Sequence, residues 1–425
     1  METDATRMCA LLVGLPDVAV LGVGEWPRWL LVVVATLAGR PACGCGAAPH
    51  GHGVRDVDLV DLPVFGRPAR LRWRKQRWRC PACGAVWTEQ NATIASARCA
   101  LTTRAARWAT EQVGRHGRAV SEVAADLGCG WHTVMDAVEL YGSQLIDDRA
   151  RFGQVSALGL DETLFCRVGR FRTQSWSTQI VDVRRGQLLD VVQGRDSSEP
   201  CRWLAAQPAE WRSGIGWATL DLSSAYRSVF DTMLPDAVQV ADPFHVVQLA
   251  NRALDECRRR VQNETMGHRG RRDDPLYRAR RRLVMAAERL TGEQHERLMG
   301  LLRVGDPRRE VWFAWNAKEV ARQIYDHTDE ALAGEWVDAI ARDFADAEMP
   351  LEVRRLGRTI AKWRDQIVAW HRSHVSNGPT EAVNNLVKRV KRVAFGMRNF
   401  AHYRIRALLY AGRPNWSLLP IIAPP

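Results

Sequence analysis

The sequence contains no apolar run of the roughly 18 residues that a membrane-spanning helix requires. The apolar block at positions 30 to 37 has only the length of a strand. The first residues lack a basic segment followed by a clean cleavage site, so we expect no secretion signal. Internal repeats and long low-complexity tracts are also missing. These absences argue against membrane-spanning, secreted and repeat classes, and we expect a cytoplasmic protein.

Acidic residues are the minority among the charged ones. The 425 residues include 48 Asp and Glu against 60 Lys and Arg, a formal net charge of +12. An excess of positive charge favours a polyanionic partner, but it does not by itself distinguish nucleic acid from an anionic membrane. The length is sufficient for about two to four domains with at least one sizeable core.

The ten cysteines divide into four at metal-binding spacing and six that are scattered. The four lie in Cys43-Gly-Cys45 and in Cys80-Pro-Ala-Cys83-Gly84, where glycine-containing turns allow two thiolates to face one tetrahedral ion. This spacing predicts a structural zinc site with Cys43, Cys45, Cys80 and Cys83 as ligands. The first pair is separated by one residue where two are usual, so His50 or His52 could replace one of its thiolates.

A basic, aromatic-rich strand is predicted between the two cysteine pairs. Alternation with period two places Arg70, Arg72 and Arg74 on one face of it. Such a face suits contact with DNA phosphates, and a solvated face on a small ribbon fits the same pattern equally well.

The next segment predicts three short helices. They are expected at 103 to 115, at 122 to 127 with Ser121 as the cap, and at 131 to 141 after the turn Gly128-Cys-Gly130. The arrangement is typical of a helix-turn-helix, which would place Trp131, His132 and Thr133 in the major groove of DNA. A plain three-helix packing unit is the alternative.

The pattern changes to strands after residue 153 and to helices after residue 245. Helices are expected at 199 to 211 and around Tyr226, and a long, basic, all-α region at 246 to 374. The order indicates a multidomain α/β chain with a mixed sheet. Strands are predicted at 155 to 165, 177 to 183, 187 to 193, 216 to 222 and 237 to 241.

Three carboxylates mark a candidate active site. Asp161 and Asp221 each end an apolar strand, and Glu381 lies in the first turn of a helix that Thr380 can cap. If the three converge, their oxygens suit hard divalent cations such as Mg²⁺. Asp242, at the end of the last predicted strand, is a rival for the position of Asp221. Glu162 is expected on the opposite face of its strand.

The helix that carries Glu381 is amphipathic. Asn384, Lys388 and Arg392 share the face of Glu381 and are predicted to approach DNA. An ordinary helix with solvated charges is the alternative. Asp242 and His245 are candidates for groups that support the metal ligands, or for a structural cap. The opposite, packing face is predicted to hold Val383, Leu386, Val390 and Ala394.

With these motifs the chain resembles the insertion-sequence transposases of the ISL-three family. The resemblance implies a zinc ribbon and a helix-turn-helix joined to an RNase-H-like Asp-Asp-Glu domain that a helical insertion interrupts. It implies Asp161, Asp221 and Glu381 as the catalytic acids. The motifs that carry it are Cys80-Pro-Ala-Cys-Gly84, Leu160-Asp-Glu162, Leu220-Asp-Leu-Ser-Ser-Ala-Tyr226, Ala241-Asp-Pro-Phe-His245 and Ser376-Asn-Gly-Pro-Thr-Glu-Ala-Val-Asn-Asn385.

The resemblance also implies a domain order. Residues 1–40 are expected to form an N-terminal segment, 41–100 the zinc ribbon and 101–153 the helix-turn-helix. The catalytic domain would comprise 154–245 and 376–425, on either side of an all-α insertion at 246–375.

The expected activity is cleavage of DNA at the element's ends and joining of those ends to a target. Two Mg²⁺ or Mn²⁺ ions would serve the reaction, with Asp161 bridging both, Asp221 completing one and Glu381 the other. The expected partners are the terminal inverted repeats, the target DNA and at least a second copy of the chain, without a membrane. The alternatives are a DNA-binding regulator without catalysis and a metal-dependent nuclease without strand joining.

Overall fold

The computed structural model describes residues 1–37 and 39–422. These residues divide into two compact units. Of the described residues, the first comprises 1–37, 39–153, 165–169 and 385–422, and the second comprises 154–164 and 170–384. Within the described ranges, no helix has both the length and the apolar character needed to cross a membrane.

The first unit contains a five-stranded sheet. Its strands run in the order β1-β2-β4-β3, and β5 pairs with the end of β4. The helix α1 (Ala5–Val13) precedes it. Because β2 precedes residue 40 and pairs with β4 after it, the predicted boundary at residue 40 lies inside one sheet. The strands are β1 (Val18–Glu25), β2 (Leu30–Thr36), β3 (His50–Val64), β4 (Arg67–Arg79) and β5 (Val86–Thr88).

The predicted alternation in β4 is observed. Leu71 and Trp73 are buried in an apolar cluster with Val34 and Leu59, whereas the arginines that alternate with them point away from that cluster. A strand that packs one face on a core requires this pattern.

Three helices follow, α2 (Thr103–Gly114), α3 (Val120–Leu127) and α4 (Trp131–Ile146). The predicted cap of α3 is wrong. The helix begins two residues early, with Ala119 rather than Ser121 at its cap position, and the Glu122 carboxylate accepts a hydrogen bond from the Ala119 N–H at 3.3 Å. The end of α4 extends beyond the predicted residue 141 because Leu145 and Ile146 continue its buried stripe.

The second unit contains another five-stranded sheet, in the order β10-β9-β6-β7-β8. The strand β9 lies parallel to both β6 and β10, and β7 lies antiparallel to β8, so the sheet is mixed as predicted. Its strands are β6 (Ala157–Val168), β7 (Thr173–Asp182), β8 (Gln187–Gln193), β9 (Trp217–Leu220) and β10 (Val238–Ala241).

The helix predicted at 199 to 211 is two helices, α5 (Ser198–Ala205) and α6 (Ala209–Ser213). Pro208, which lacks an N–H and cannot continue a helix, separates them. The helix α7 (Ser224–Met233) joins β9 to β10, and it holds the buried Tyr226 as expected.

Between β10 and residue 374 the described chain is helical. The long helix α8 (Pro243–Met266) begins directly after β10. Beyond this region follow α16 (Gly378–Val393) and α17 (Phe400–Ala411). The intervening helices are α9 (Pro275–Leu283), α10 (Gly292–Gly305), α11 (Glu310–Arg322), α12 (Glu330–Phe344), α13 (Leu351–Lys362), α14 (Arg364–Val368) and α15 (Trp370–Ser373).

Candidate active site and metal centres

Asp161 and Asp221 lie at corresponding positions of two parallel strands. The strands β6 and β9 pair in register up to Gly159 opposite Thr219, and each aspartate follows its partner of that pair by two residues. Equal offsets along parallel neighbours place the two carboxylates side by side. The structure therefore brings together the first two predicted acids.

Glu162 joins them, which contradicts the prediction that it points to the opposite face. Carboxylate oxygens of Asp161, Glu162 and Asp221 all lie within 4.8 Å of one another. The pairing with β9 ends at Gly159, while β6 itself continues as a strand to Val168 beside β7. The backbone N–H of Glu162 also donates to Asp161 Oδ1 at 2.8 Å, which turns the Asp161 side chain back along its own strand.

The cluster carries uncompensated negative charge. Burial raises the pKa of Asp161 to about 6, and the charges of Glu162 and Glu381 raise it in the same direction. Burial raises the pKa of Asp221 to about 7, again with Glu162 and Asp161 contributing. The Asp221 Oδ1 atom is buried and has no hydrogen-bond partner among the described residues. Buried acceptors and like charges in close proximity form a site to which a divalent cation would bind favourably.

Glu381 lies in the first turn of α16, as predicted. It is not part of the group of three carboxylates within 4.8 Å, but its charge raises the pKa of Asp161. The Glu381 Oε1 atom lies 3.7 Å from Nε2 of His245, a residue in the first turn of α8. The supporting role predicted for His245 stays a prediction at this distance.

The start of α16 is fixed by the carboxyl ends of β9 and β10. The backbone N–H of Asn377 donates to Asp242 Oδ1 at 2.8 Å, and the Thr219 hydroxyl donates to Asn377 Oδ1 at 3.3 Å. The Asn377 carbonyl then accepts the N–H of Glu381 at 3.0 Å. Asn377 is fully buried, so this turn is held on several sides.

A glycine in β6 makes the close approach of α16 possible. A Cβ atom at Gly159 would lie 2.5 Å from the Thr380 hydroxyl and 2.9 Å from the Thr219 hydroxyl. Real Cβ contacts do not reach such distances, so any larger residue would displace the start of α16 or the neighbouring strand.

Asp242 is a helix cap in this structure. Its Oδ2 accepts the N–H of Phe244 at 3.1 Å and its Oδ1 accepts the N–H of Asn377. Because both carboxylate oxygens bind backbone donors, Asp242 orients the elements around the cluster, whereas Asp221 retains an unpartnered oxygen.

Asn384 is buried and donates through Nδ2 to Asp161 Oδ2 at 2.6 Å. It therefore orients Asp161, while Lys388 and Arg392 are exposed further along α16. The predicted packing face is partly wrong, since Leu386 is 39% exposed and Val387 is fully buried. The helix turns by 100° per residue, so a stripe through residues 383, 387 and 390 fits it as well as the one predicted.

The four predicted zinc ligands form one group in the first unit. The sulfur atoms of Cys43 and Cys83 lie 3.5 Å apart, as do those of Cys45 and Cys80, and all four are within 4.8 Å of one another. Hydrogen bonds from the backbone N–H groups of Cys83 and Ala82 lower the pKa of Cys80 to about 6. Neither His50 nor His52 belongs to this group in the described chain. Four thiols at these distances suit one tetrahedral zinc ion.

The arginines of β4 bind acceptors within the chain. The Arg70 guanidinium donates to the carbonyls of Leu127 and Gly128 at the end of α3. Arg72 forms two hydrogen bonds with Asp58, at 2.7 and 2.9 Å, and Arg74 forms one with Asp56 at 3.3 Å. Contact with DNA phosphates stays a prediction for these residues.

Trp131, His132 and Thr133 occupy the first turn of α4, as predicted. Trp131 and His132 are exposed and Thr133 is half-buried. The indole of Trp131 lies 5.6 Å from the ring of His402 in α17, a contact that the sequence did not indicate.

Three family models match the chain. A transposase model of the ISL3 family matches residues 158–407. A model described as the zinc-finger of transposase IS204/IS1001/IS1096/IS1165 matches residues 41–83, and the helix-turn-helix domain of transposase family ISL3 matches residues 91–142.

The chain is also similar to curated transposases. The transposase for insertion sequence element IS1557 of Mycobacterium tuberculosis is 27% identical over 375 residues, which cover 79% of this chain and 80% of the relative. The transposase for insertion sequence element IS1001 of Bordetella parapertussis is 26% identical over 414 residues, which cover 90% of this chain and 93% of the relative.

Proposed function

The chain belongs to the transposase family ISL3, and from this premise we propose that it is a metal-dependent enzyme that cleaves DNA at the ends of its own element and joins them to a target. The observation that carries the proposal is the carboxylate cluster of Asp161, Glu162 and Asp221, with Glu381 nearby. A protein that only bound DNA would gain nothing from buried carboxylates, which repel the phosphate backbone.

The residues present fit a pair of hard divalent cations. Asp161, Asp221 and Glu381 would hold them, and Glu162 adds a carboxylate that the sequence argument assigned elsewhere. When bound, Mg²⁺ or Mn²⁺ supplies activation of the attacking oxygen and neutralisation of the leaving oxygen in phosphodiester exchange.

The surrounding side chains have positioning roles. The Asn384 amide fixes the orientation of Asp161, and the Asp242 carboxylate fixes the turn before α16. His245 lies beside Glu381 and partly offsets its charge when protonated. Such supporting groups set the geometry of metal ligands and therefore their affinity.

The strand order supports an RNase-H-like catalytic domain. The antiparallel β7-β8 hairpin lies on one side of β6, and the parallel strands β9 and β10 lie on the other. The helical region from α8 to α15 then separates β10 from α16, which is consistent with an insertion between the second and third acids.

The first unit would grip the DNA. A helix-turn-helix supplies the binding surface, and four cysteines supply a structural zinc site that stabilises the adjacent ribbon. Handling two element ends together requires at least two copies of the chain in the active assembly.

The test uses the full chain with labelled element ends, a target plasmid and Mg²⁺. We expect Asp161→Asn, Asp221→Asn and Glu381→Gln each to abolish cleavage while binding of the ends is retained, because each removes a metal-holding charge. The exposed Glu210→Gln, in the same unit, is the matched control and should retain activity.

Two results would contradict the proposal. Full activity in any one of the three variants would show that the replaced residue is not a catalytic metal ligand. Ends that are cut but never joined would identify a nuclease instead of a transposase.

A further inference from the structure

A cavity of about 410 Å³ lies within the first unit, and no residue of the acidic cluster lines it. Its wall includes the first turns of α3, α4 and α17 and the segment at 393–399 that leads into α17. Helix N-termini carry partial positive charge, so three of them around one cavity form an electropositive concavity.

The three N-termini differ in how they are capped. At the start of α3 the Glu122 carboxylate accepts the N–H of Ala119, and at the start of α17 the Asn399 side chain accepts the N–H groups of Ala401 and His402. At the start of α4 the cap residue is Gly130, and no side chain accepts a hydrogen bond. The first N–H groups of a helix have no partner inside it. At α4, where no side chain accepts them, they are therefore available to an anion.

A buried arginine provides a second, independent indication. Arg406 lines the cavity although it is only 2% exposed, and its Nε donor has no partner among the described residues. Its guanidinium also donates to the Arg118 carbonyl at 3.3 Å. An unpaired buried donor is unfavourable unless a ligand satisfies it.

The remaining polar lining is also suited to an anion. Arg398, His132 and His402 contribute to the wall, and no Asp or Glu does so within the described chain. The Glu139 carboxylate lies 2.7 Å from Nε2 of His402 and holds that ring in place.

We propose that this cavity binds a phosphate group of the DNA backbone. The inference rests on the proposed function, in which DNA is the substrate. It adds α17 to the DNA-binding surface. A phosphate held beside the first turn of α4 would fix the position of Trp131 and His132 relative to the DNA, because phosphate contacts set the register of a binding helix.

A substitution at Ser121 can test the proposal while the fold is preserved. Its side chain is exposed, lines the cavity and lies in the first turn of α3, where an acidic residue stabilises a helix. Ser121→Asp should therefore preserve folding while it repels a phosphate. Ser121→Asn adds similar bulk without charge. Gln144→Glu makes the same change in net charge at an exposed site outside the cavity wall.

The measurement is the affinity of the full chain for duplex DNA carrying the element ends, over a series of salt concentrations. We expect Ser121→Asp to weaken binding on the order of tenfold and to reduce the slope of log K against log salt by about 0.9, the change for one lost phosphate contact. Ser121→Asn and Gln144→Glu should retain the wild-type slope. Arg398→Gln, a second exposed change in the wall, should act in the direction of Ser121→Asp.

A second arm uses inorganic phosphate at constant ionic strength and follows the thermal midpoint. Stabilisation of the wild type and Gln144→Glu, but not of Ser121→Asp, would locate a phosphate in the cavity. Equal salt slopes for Ser121→Asp and Gln144→Glu would overturn the assignment to DNA. If inorganic phosphate then still raised the thermal midpoint of Gln144→Glu but not of Ser121→Asp, the cavity would be a site for free phosphate. Neither arm requires cleavage, so a failure of the proposed enzymatic activity would be seen separately.

Discussion

Asp221 shows how strongly its surroundings oppose its charge. Burial, together with the charges of Glu162 and Asp161, raises its pKa from 3.8 to about 7. The metal-free protein is therefore destabilised by ionising this residue, since the unfolded chain releases the same proton at an ordinary pKa. A cation bound between the carboxylates would remove this penalty.

Replacing Asp221 should consequently stabilise the metal-free protein in a pH-dependent way. Because the folded pKa is above the unfolded value, the wild-type free energy of unfolding falls as pH rises from about 4 to about 7 and is then level. Asp221→Asn removes this loss. We expect it to raise the unfolding free energy by ~2 to 4 kcal/mol at about pH 8 and by little at about pH 4.

The measurement is denaturant or thermal unfolding of both proteins across that pH range without added divalent metal. The exposed Glu210→Gln is the control and should show no such divergence. A variant whose stability parallels the wild type at every pH would contradict the raised pKa of Asp221.

The sequence identified Asp161 and Asp221 because each ends an apolar strand, a local pattern. It did not identify Glu162, because strand alternation predicts opposite faces for adjacent residues. The adjacent acids in Leu160-Asp-Glu162 were the available signal. Asp161 and Asn384 are 223 positions apart, so no local sequence pattern indicated the hydrogen bond between them.

Among the elements, α16 depends on the absence of a side chain in β6. Gly159→Ala would place a Cβ against the hydroxyls of Thr380 and Thr219 and should cost ~1 to 3 kcal/mol through overpacking. Displacement of α16 would also move Glu381 and Asn384, so cleavage should fall sharply.

Gly216→Ala is the matched control, since the nearest atom to its added Cβ is the Ser156 carbonyl oxygen at 4.0 Å. The measurements are thermal unfolding and cleavage of the element ends, made on both variants. Equal stability and activity in the two would show that the close approach of α16 to β6 is unimportant.

The cysteine group makes a prediction for the ribbon. We expect about one zinc ion per purified chain, measured by elemental analysis, because four thiolates complete a tetrahedral site. Cys83→Ser should lower the zinc content and the melting temperature. Cys201→Ser, which alters a cysteine outside the group, should change neither. If the purified wild-type chain contained no zinc, the prediction of a zinc site in the ribbon would be wrong.

The elements themselves were largely predictable, because apolar periodicity and turn residues are local signals. Strand β8 was predicted at its observed bounds, and the helices α2, α3 and α4 were predicted to within a few residues except at the end of α4. The errors arose where the signal was weak. Pro208 divided a predicted helix, and Ser121 was chosen as a cap when the helix begins before it.

For the whole molecule, sequence patterns gave the order of segments but not their grouping in space. Residues 385–422 cluster with the first unit, and β2, before residue 40, pairs with β4 of the ribbon. Grouping is decided by long-range packing, which periodicity within one helix or strand does not encode. The convergence of Asp161 and Asp221 was stated as a prediction from sequence, and only coordinates could place the two carboxylates side by side.

The central claim is that these carboxylates hold divalent metal. The most direct measurement is anomalous diffraction from crystals of the full chain soaked in MnCl₂ at about pH 8, above the raised pKa of Asp221. The account predicts Mn²⁺ density contacting Asp161 and Asp221 that disappears in Asp221→Asn. Mn²⁺ bound elsewhere, or no Mn²⁺ at saturating concentration beside an ordered cluster, would contradict it.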